Sequence, residues 1–558
     1  MSFDAPSGPP PSGPPETLDF GGGQPIPPSG GGRRGLLVVV AAVGAVAVAG
    51  ASWAAWSFLS TGPQPAEALP GSTIAYVSVD LDPSGGQKIE ALRTLRKFPA
   101  FKEHVGLDTD DDIREWIFGE IQGDCDDLDY ADDVEPWLGD RFGIAAVDVE
   151  ADQPAAVFVL QVSDEDAADQ GLAAIKKCNG AGVDEGAWVI RDGWVVLAET
   201  QEIAQQVADD AATSPLSADE DFQHWTDQVG DSGVISMYAA PEAGKLMADE
   251  LSSAAAAVPD AIGSSECTMD DDGEVVCDES SFVPDETIPV PVPQELEQAT
   301  KALEDFRGAA ATIRFDDGGL ELEVAADATA VGPGVTSGQD AGEVASSLPD
   351  DTVAALALSF GDGWVDDLLE QASQASGSSV GDLTDEVAAT LGITLPDDVE
   401  TLVGDALAIA IGPDFDPTVL ESGSTAVPGV GVKIVGDADG IDGVLDKLRT
   451  AAGGADQGVL DSDASDGAVA VGPDADYRAQ LLEGGDLGGN DTYRRVIEHG
   501  DGAAAILFVD LDAGVDWVTE LTGDDAELRA NLEPLDALGL SAWHDDDTAH
   551  AVLKITSD

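Results

Sequence analysis

Four segments of this chain recur in the same order, so any fold it adopts is built twice. Ala68-Leu69-Pro70-Gly71-Ser72-Thr73-Ile74-Ala75 returns as Ser347-Leu348-Pro349-Asp350-Asp351-Thr352-Val353-Ala354, each a Leu-Pro turn running into an apolar strand. VEPWLGDRFGIAAVD (134–148) returns as VETLVGDALAIAIGP (399–413), a helical approach, a Gly-Asp turn and a strand. PAAVFVLQVSDEDAADQGLAAIKK (154–177) corresponds to VPGVGVKIVGDADGIDGVLDKLRT (427–450), a strand followed by an acidic N-cap and an amphipathic helix. FRGAAATIRFDDGGLELEVAAD (306–327) matches ALGLSAWHDDDTAHAVLKITSD (537–558), two strands joined by an acidic turn. The reading is a duplication: module one over 68–330, a linker over 331–346 and module two over 347–558.

Within each module short strands alternate with helices, which predicts an α+β fold with mainly antiparallel sheets. A parallel order is disfavoured because neighbours such as Trp188–Arg191 and Trp194–Ala198 leave no room for a crossover helix. In the hairpin Ala310–Phe315, Leu320–Ala325, the residues Leu320, Leu322 and Val324 alternate with Glu321 and Glu323. That alternation predicts a dry leucine face and a wet glutamate face.

Upstream of the repeats, Leu36 to Leu59 carries no charge and as a helix would reach roughly 36 Å, enough for a bilayer core. Arg33 and Arg34 precede it, and the next basic residue beyond it is Lys88. The positive-inside rule then gives a single transmembrane helix (35–59) with a cytoplasmic tail (1–34), a short linker (60–67) and an extracytoplasmic remainder. A cleaved secretory signal, or an export signal built on the Arg pair, is the competing reading and also puts the bulk outside the cytoplasm. The Pro- and Gly-rich tail has too few apolar groups to fold and reads as a spacer.

The balance of 109 acidic against 24 basic residues, a net charge of −85, repels nucleic acid and anionic headgroups and attracts cations diffusely. All four cysteines, Cys125, Cys178, Cys267 and Cys277, follow the apolar run, as disulfide-forming residues of an exported domain would. Three pairings are open; proximity favours Cys267 with Cys277, leaving Cys125 with Cys178. The segment from Ser264 to Gln294, which contains Cys267 and Cys277, has no counterpart in module two and is expected to project as a stapled loop that contacts a partner.

Motifs that carry chemistry are scarce. Asp80/Asp82 and Asp510/Asp512 resemble metal-binding pairs but follow strands, where capping explains them better. Asp437–Gly440 and Asp461–Gly467 miss the glycine and glutamate positions of a calcium loop. Ser379 sits in a GxSxG sequence after a helical stretch, not after the strand a nucleophile elbow requires. His104, His224, His499, His544 and His550 show no zinc spacing. No catalytic, metal or cofactor residue is assigned. The functional expectation is a binding or scaffold protein of the cell envelope, with an envelope protein or cell-wall component as partner. The alternative is an extracytoplasmic hydrolase or cation-dependent enzyme with a carboxylate site between the modules.

The Pro/Gly-rich leader, the Arg-preceded apolar helix, the Leu-Pro turn at Ala68-Leu69-Pro70-Gly71 and the repeated Leu138-Gly139-Asp140 and Val403-Gly404-Asp405 elements together resemble a bacterial envelope family of high-GC Gram-positive organisms. That family is known as domain of unknown function three-three-five-two. The resemblance implies the membrane-anchored, duplicated architecture and carries no catalytic residue with it.

Overall fold

A computed structural model of the chain describes residues 64–80, 128–178, 186–261, 300–328, 338–415, 429–514 and 526–557, apart from short interruptions. It also describes Cys267–Met269, Val275–Cys277 and scattered residues between 94 and 118. The leader, the apolar run 36–59, Arg33, Arg34, Cys125 and most of 264–294 lie outside the described residues. Among the described residues no helix is long and apolar enough to cross a membrane.

Module one supplies β1 (Thr73–Asp80), β2 (Leu138–Val147), β3 (Ala155–Val162), β4 (Ala187–Arg191), β5 (Trp194–Ala198), β6 (Ile235–Ala239), the small pair β7 (Cys267–Met269) and β8 (Val275–Cys277), β9 (Ala309–Asp316) and β10 (Gly319–Asp327). Module two supplies β11 (Ala354–Ser359), β12 (Ala406–Ile411), β13 (Val430–Val435), β14 (Ser462–Ser465), β15 (Ala468–Val471), β16 (Ala505–Asp510), β17 (Leu535–Asp545) and β18 (Thr548–Ser557). All but β7 and β8 join one 16-stranded sheet, in the order β14-β15-β13-β12-β11-β16-β17-β18-β10-β9-β6-β1-β2-β3-β5-β4. Read outward from the centre, the two halves have the same strand order, and every pairing is antiparallel.

The halves meet where β10 pairs with β18, from Gly319 opposite Thr556 to Asp327 opposite Thr548. Glu323 and Val552, which hold equivalent places in the two closing hairpins, face each other there, so a pseudo-twofold axis passes between them. A hairpin that ends each module has become the two central strands of a shared sheet.

The helices used below are α1 (Glu165–Cys178), α2 (Gln201–Thr213), α3 (Glu220–Gln228), α4 (Ala341–Ser346), α5 (Val380–Leu391), α6 (Ala438–Ala452), α7 (Ala475–Glu483) and α8 (Asp491–Val496). Their ends follow local chemistry. Thr200 Oγ1 accepts from Ile203 N at the start of α2, Asp219 caps α3, and Gly453 closes α6 in the left-handed conformation at φ 61°. One sheet face carries α2 and α3 in module one, where Val207, Ala208 and Trp225 pack on Tyr76, Val159 and Val196. In module two the same face carries α4, α7 and α8, where Val344, Leu481 and Val496 pack on Ala357, Ala408 and Phe508. Leu69 and Leu348, the leucines of the two Leu-Pro turns, are fully buried in these cores, each worth about 1.5–3 kcal/mol. On the opposite face α1 covers β3–β5, and α6 covers β13 and β15.

Candidate functional site

Two regions of the sheet stand apart from an ordinary core. The first is the face between α1 and α6. The register carries one row of side chains across it, through Val471, Val432, Ile409, Leu356, Leu507, Leu540, Leu553, Leu322, Ile313, Ile235, Val79, Phe142, Leu160, Val195 and Ile190. Every strand of the large sheet except β14 contributes an aliphatic or phenylalanine side chain to this row. Burial along the row is uneven. In module one Val79, Ile235 and Val195 are buried, Ile313, Phe142, Leu160 and Ile190 are half-buried, and Phe158 on the same face is 38% exposed; in module two Leu356 is 37% and Ile409 40% exposed, with Leu507, Leu540, Leu553 and Leu322 half-buried between. Val77, separated from Leu356 by the spacing that separates Ala68 from Ser347, is only 8% exposed.

The second region lies on the other face, at the module junction. The expectation for the closing hairpin is reversed there: the glutamate side of β10 is buried, Glu321 to 1% exposure, and the leucine side is half-buried. The cause is position, since β10 is not a rim strand facing water but lies between β9 and β18. Arg314 Nη2 sits 2.5 Å from Glu321 Oε1 and also pairs with Glu323, while its Nη1 donates to the Val229 carbonyl at 3.0 Å. From across the junction Lys554 Nζ lies 3.3 Å from Glu321 Oε2 and pairs with Glu498. Burial raises the Glu321 pKa against the pull of Arg314, and Glu498 adds to the rise. Arg307 ties Asp327 to Asp547 of the second hairpin at 2.9 and 3.2 Å, a further link between modules.

Module two fills the equivalent place differently. Arg314 faces Glu321 across its hairpin just as Trp543 faces His550 across the other. Trp543 is stacked between His499, at 4.2 Å between ring centres, and His550, at 5.0 Å. Burial lowers the His550 pKa, with Glu323 and Asp545 opposing. The gathering of His499 and His550 around one Trp is a feature that sequence reasoning missed. Register is the signal that finds it, because aligning the hairpins on Asp316 and Asp545 puts Arg-Glu over Trp-His.

The residues singled out from sequence are dispersed. Asp80 forms an ion pair with Arg141 at 2.8 Å, and Asp510 accepts from Ala513 N at 2.8 Å; Asp82 and the residues that follow Asp80 lie outside the described residues. Asp463 pairs with Arg478 at 2.8 Å. Ser379 N-caps α5 in a reciprocal box with Asp382, so its hydroxyl is committed to the helix start. Among the described residues no group of His, Cys, Asp and Glu is arranged to hold a metal ion. Cys178, the last residue of α1, is disulfide-bonded. Cys267 and Cys277 are direct partners in the β7–β8 pair.

With this geometry in hand the comparison with known families is specific. Residues 35–269 match the family model described as a protein of unknown function, DUF3352. The chain carries a DUF3352 domain. The matched stretch runs from the start of the apolar segment through module one to the end of β7, and module two repeats its strand order. No curated protein and no solved structure matches the chain.

Proposed function

We propose that this DUF3352 protein is a membrane-anchored, extracytoplasmic binding protein whose module-two sheet face takes an acyl-chain ligand. The observation that carries the reading is the unbroken apolar row, left open at Leu356 and Ile409, where Val77, the module-one counterpart of Leu356, is buried and Ile144, that of Ile409, is half-buried. A large contiguous apolar surface on a chain of net charge −85 is costly unless something occupies it. The open stretch is built from Leu, Ile, Val and Ala, without the Trp, Tyr and Arg that anchor protein interfaces, and flexible aliphatic chains fit such a lining. The apolar run at 36–59 and the Arg33-Arg34 pair support attachment to a membrane with the modules outside.

An enzyme with a carboxylate site between the modules is the weaker reading. The β10–β18 ladder leaves no hinge there, and Glu321 and Glu323 are matched by Arg314 and Lys554. A general acid–base pair needs carboxylates whose environments drive their pKa values apart around a reacting atom; these are held by cations inside a sheet.

Titration of purified full-length protein with a fluorescent fatty acid tests the proposal. Saturable binding that is displaced by unlabelled fatty acid and weakened about tenfold or more by Leu356→Asp or Ile409→Asp is expected, since each loss forfeits on the order of 1.5–3 kcal/mol of apolar contact. Binding unchanged in both folded variants refutes the site.

A further inference from the structure

We infer that Ser347 and Lys433 form a serine–lysine dyad, with Ser347 Oγ as a nucleophile toward neutral carboxylic esters and Lys433 as its general base. Lys433 Nζ lies 2.9 Å from Ser347 Oγ and 3.3 Å from the Ser347 carbonyl. The lysine is only 7% exposed, and among the described residues its hydrogen bonds go to Ser347 alone, with no carboxylate partner. In a chain of 109 acidic residues, a buried lysine without one is an unusual arrangement. Burial lowers its pKa from the ordinary lysine value, because the charged form is disfavoured away from water. Ser347 itself is half-buried, at the end of α4.

The duplication supplies an internal control for the plain alternative, in which the lysine merely caps α4. In module one Ala68 stands where Ser347 stands, and Val159 where Lys433 stands: Val159 is opposite Gly143 and Val196 as Lys433 is opposite Ala408 and Ala470. Both Ala68 and Val159 lie in the module-one core. The fold therefore closes this corner with apolar residues, and the polar pair is an addition to the second copy that stability does not require. Gly484, at φ 74°, and Gly485 border the pair. A Cβ on Gly484 would come 3.3 Å from the Ser347 carbonyl oxygen and 3.9 Å from Nζ, so glycine there keeps the backbone close to the dyad.

With the ammonium form, Nζ donates to Oγ and the hydroxyl donates to the Val344 carbonyl at 2.8 Å. Loss of one proton gives Nζ a lone pair aimed at the same oxygen. Oγ then bonds to the ester carbonyl carbon as its proton moves to Nζ; the intermediate collapses by breaking the bond to the alcohol oxygen, which takes that proton back from Nζ. Water attacks the acyl-serine carbon, gives its proton to Nζ, and the acid leaves as Oγ recovers the proton. The pair lies on the helix-covered face of β13 that bears α4 and α7, opposite the apolar row, so it stands or falls separately from ligand binding there.

Incubating the purified full-length protein with a biotinylated fluorophosphonate tests the dyad, because attack by Oγ forms a serine–phosphorus bond, expels fluoride and leaves a mass-detectable adduct. We expect the adduct on Ser347, forming faster as pH rises from about 6 to about 10 while the lysine loses its proton. It should be absent in Ser347→Ala and slowed about 100-fold or more in Lys433→Val. The double variant Ser347→Ala/Lys433→Val, which restores the module-one pair, should melt at or above the wild-type temperature and so reports folding independently of reactivity. No adduct on Ser347 in folded protein at any of these pH values, or an adduct that forms as fast in Lys433→Val, overturns the inference; a pH-independent rate in the wild type does so even if that variant fails to fold.

Discussion

Module one and module two share a strand order yet spend their buried positions differently. At the hairpin centre module one places Arg314 and Glu321 where module two places Trp543 and His550. At the Leu-Pro corner module one is Ala68 and Val159 where module two is Ser347 and Lys433. On the opposite face Val77 is buried where Leu356 is open. Strand order survives such exchanges because antiparallel pairing is set by backbone groups common to all residues, whereas each side-chain position answers only to its neighbours. The differences fall at the pseudo-twofold axis and on both sheet faces, where a duplicated fold is free to specialise.

The sharpest way to break this comparison is at the junction. Arg314→Leu leaves Glu323 without its cation and Glu321 with Lys554 alone in a buried setting, and should cost about 3–5 kcal/mol in urea denaturation. Transplanting the module-two pair, Arg314→Trp with Glu321→His, should recover part of that loss, since it removes one of the two buried carboxylates that share Arg314 and refills the hairpin centre with stacked rings. A double variant as unstable as Arg314→Leu would mean that the two hairpins are not interchangeable.

The next test concerns the insertion that only module one contains. Disulfide mapping should give the pairs Cys267–Cys277 and Cys125–Cys178, as proximity along the chain suggests. Cys178→Ser, which opens a loop reaching into the α1 core, should cost about 2–4 kcal/mol. Cys267→Ser should cost less than about 0.5 kcal/mol, because among the described residues β7 and β8 pair only with each other. A peptide joining Cys267 to Cys178 would tie the insertion to the module core.

Much of this was legible in the sequence, and the exceptions have physical causes. The α+β class, the antiparallel hairpins and the repeat follow from strand alternation and from four matched segments. The face assignment of Leu320, Leu322 and Val324 did not follow, because alternation gives two faces without saying which is dry. That depends on β18, more than 200 residues away, pairing with β10 and delivering Lys554 beside Glu321. The same long-range pairing builds the apolar row: each strand supplies a few residues that look like ordinary core, and only the register shows them aligned. Ser347 and Lys433 are likewise unremarkable in a linear reading, since 86 residues separate them.

The contrast between buried Val77 and open Leu356 on the apolar face predicts a smaller stability effect and a clear asymmetry. Val77→Asp puts a carboxylate into a dry position and should destabilise by about 2–3 kcal/mol in thermal or urea unfolding. Leu356→Asp, at a position already 37% exposed, should change stability by about 0.5 kcal/mol or less while removing fatty-acid binding. Equal destabilisation by the two would show that the module-two face is covered as fully as that of module one.

The smallest effect is a pH dependence that only module two should display. His550 is buried against Trp543, and its pKa lies below the usual histidine value because burial disfavours the charged ring. The groups around it do not all oppose that shift: Glu323 and Asp545 favour the imidazolium, while His499 and His544 disfavour it. A histidine whose folded pKa is depressed takes up a proton more readily when unfolded. Stability is therefore fully present above the unfolded value of about 6.5 and falls as pH drops from there toward the folded pKa. His550→Phe keeps a ring against Trp543 and removes the titration, so its melting temperature relative to wild type should rise on going from about pH 7.5 to about pH 5.5. Substituting Glu321, the equivalent position in module one, by Gln should not produce a break in that range of the same sign, because its pKa is raised by burial, and a raised carboxyl pKa makes stability fall as pH rises, not as it drops. A His550→Phe curve parallel to wild type across the whole range would mean that the imidazole is charged or solvated in the folded protein and that the stack with Trp543 does not hold it neutral.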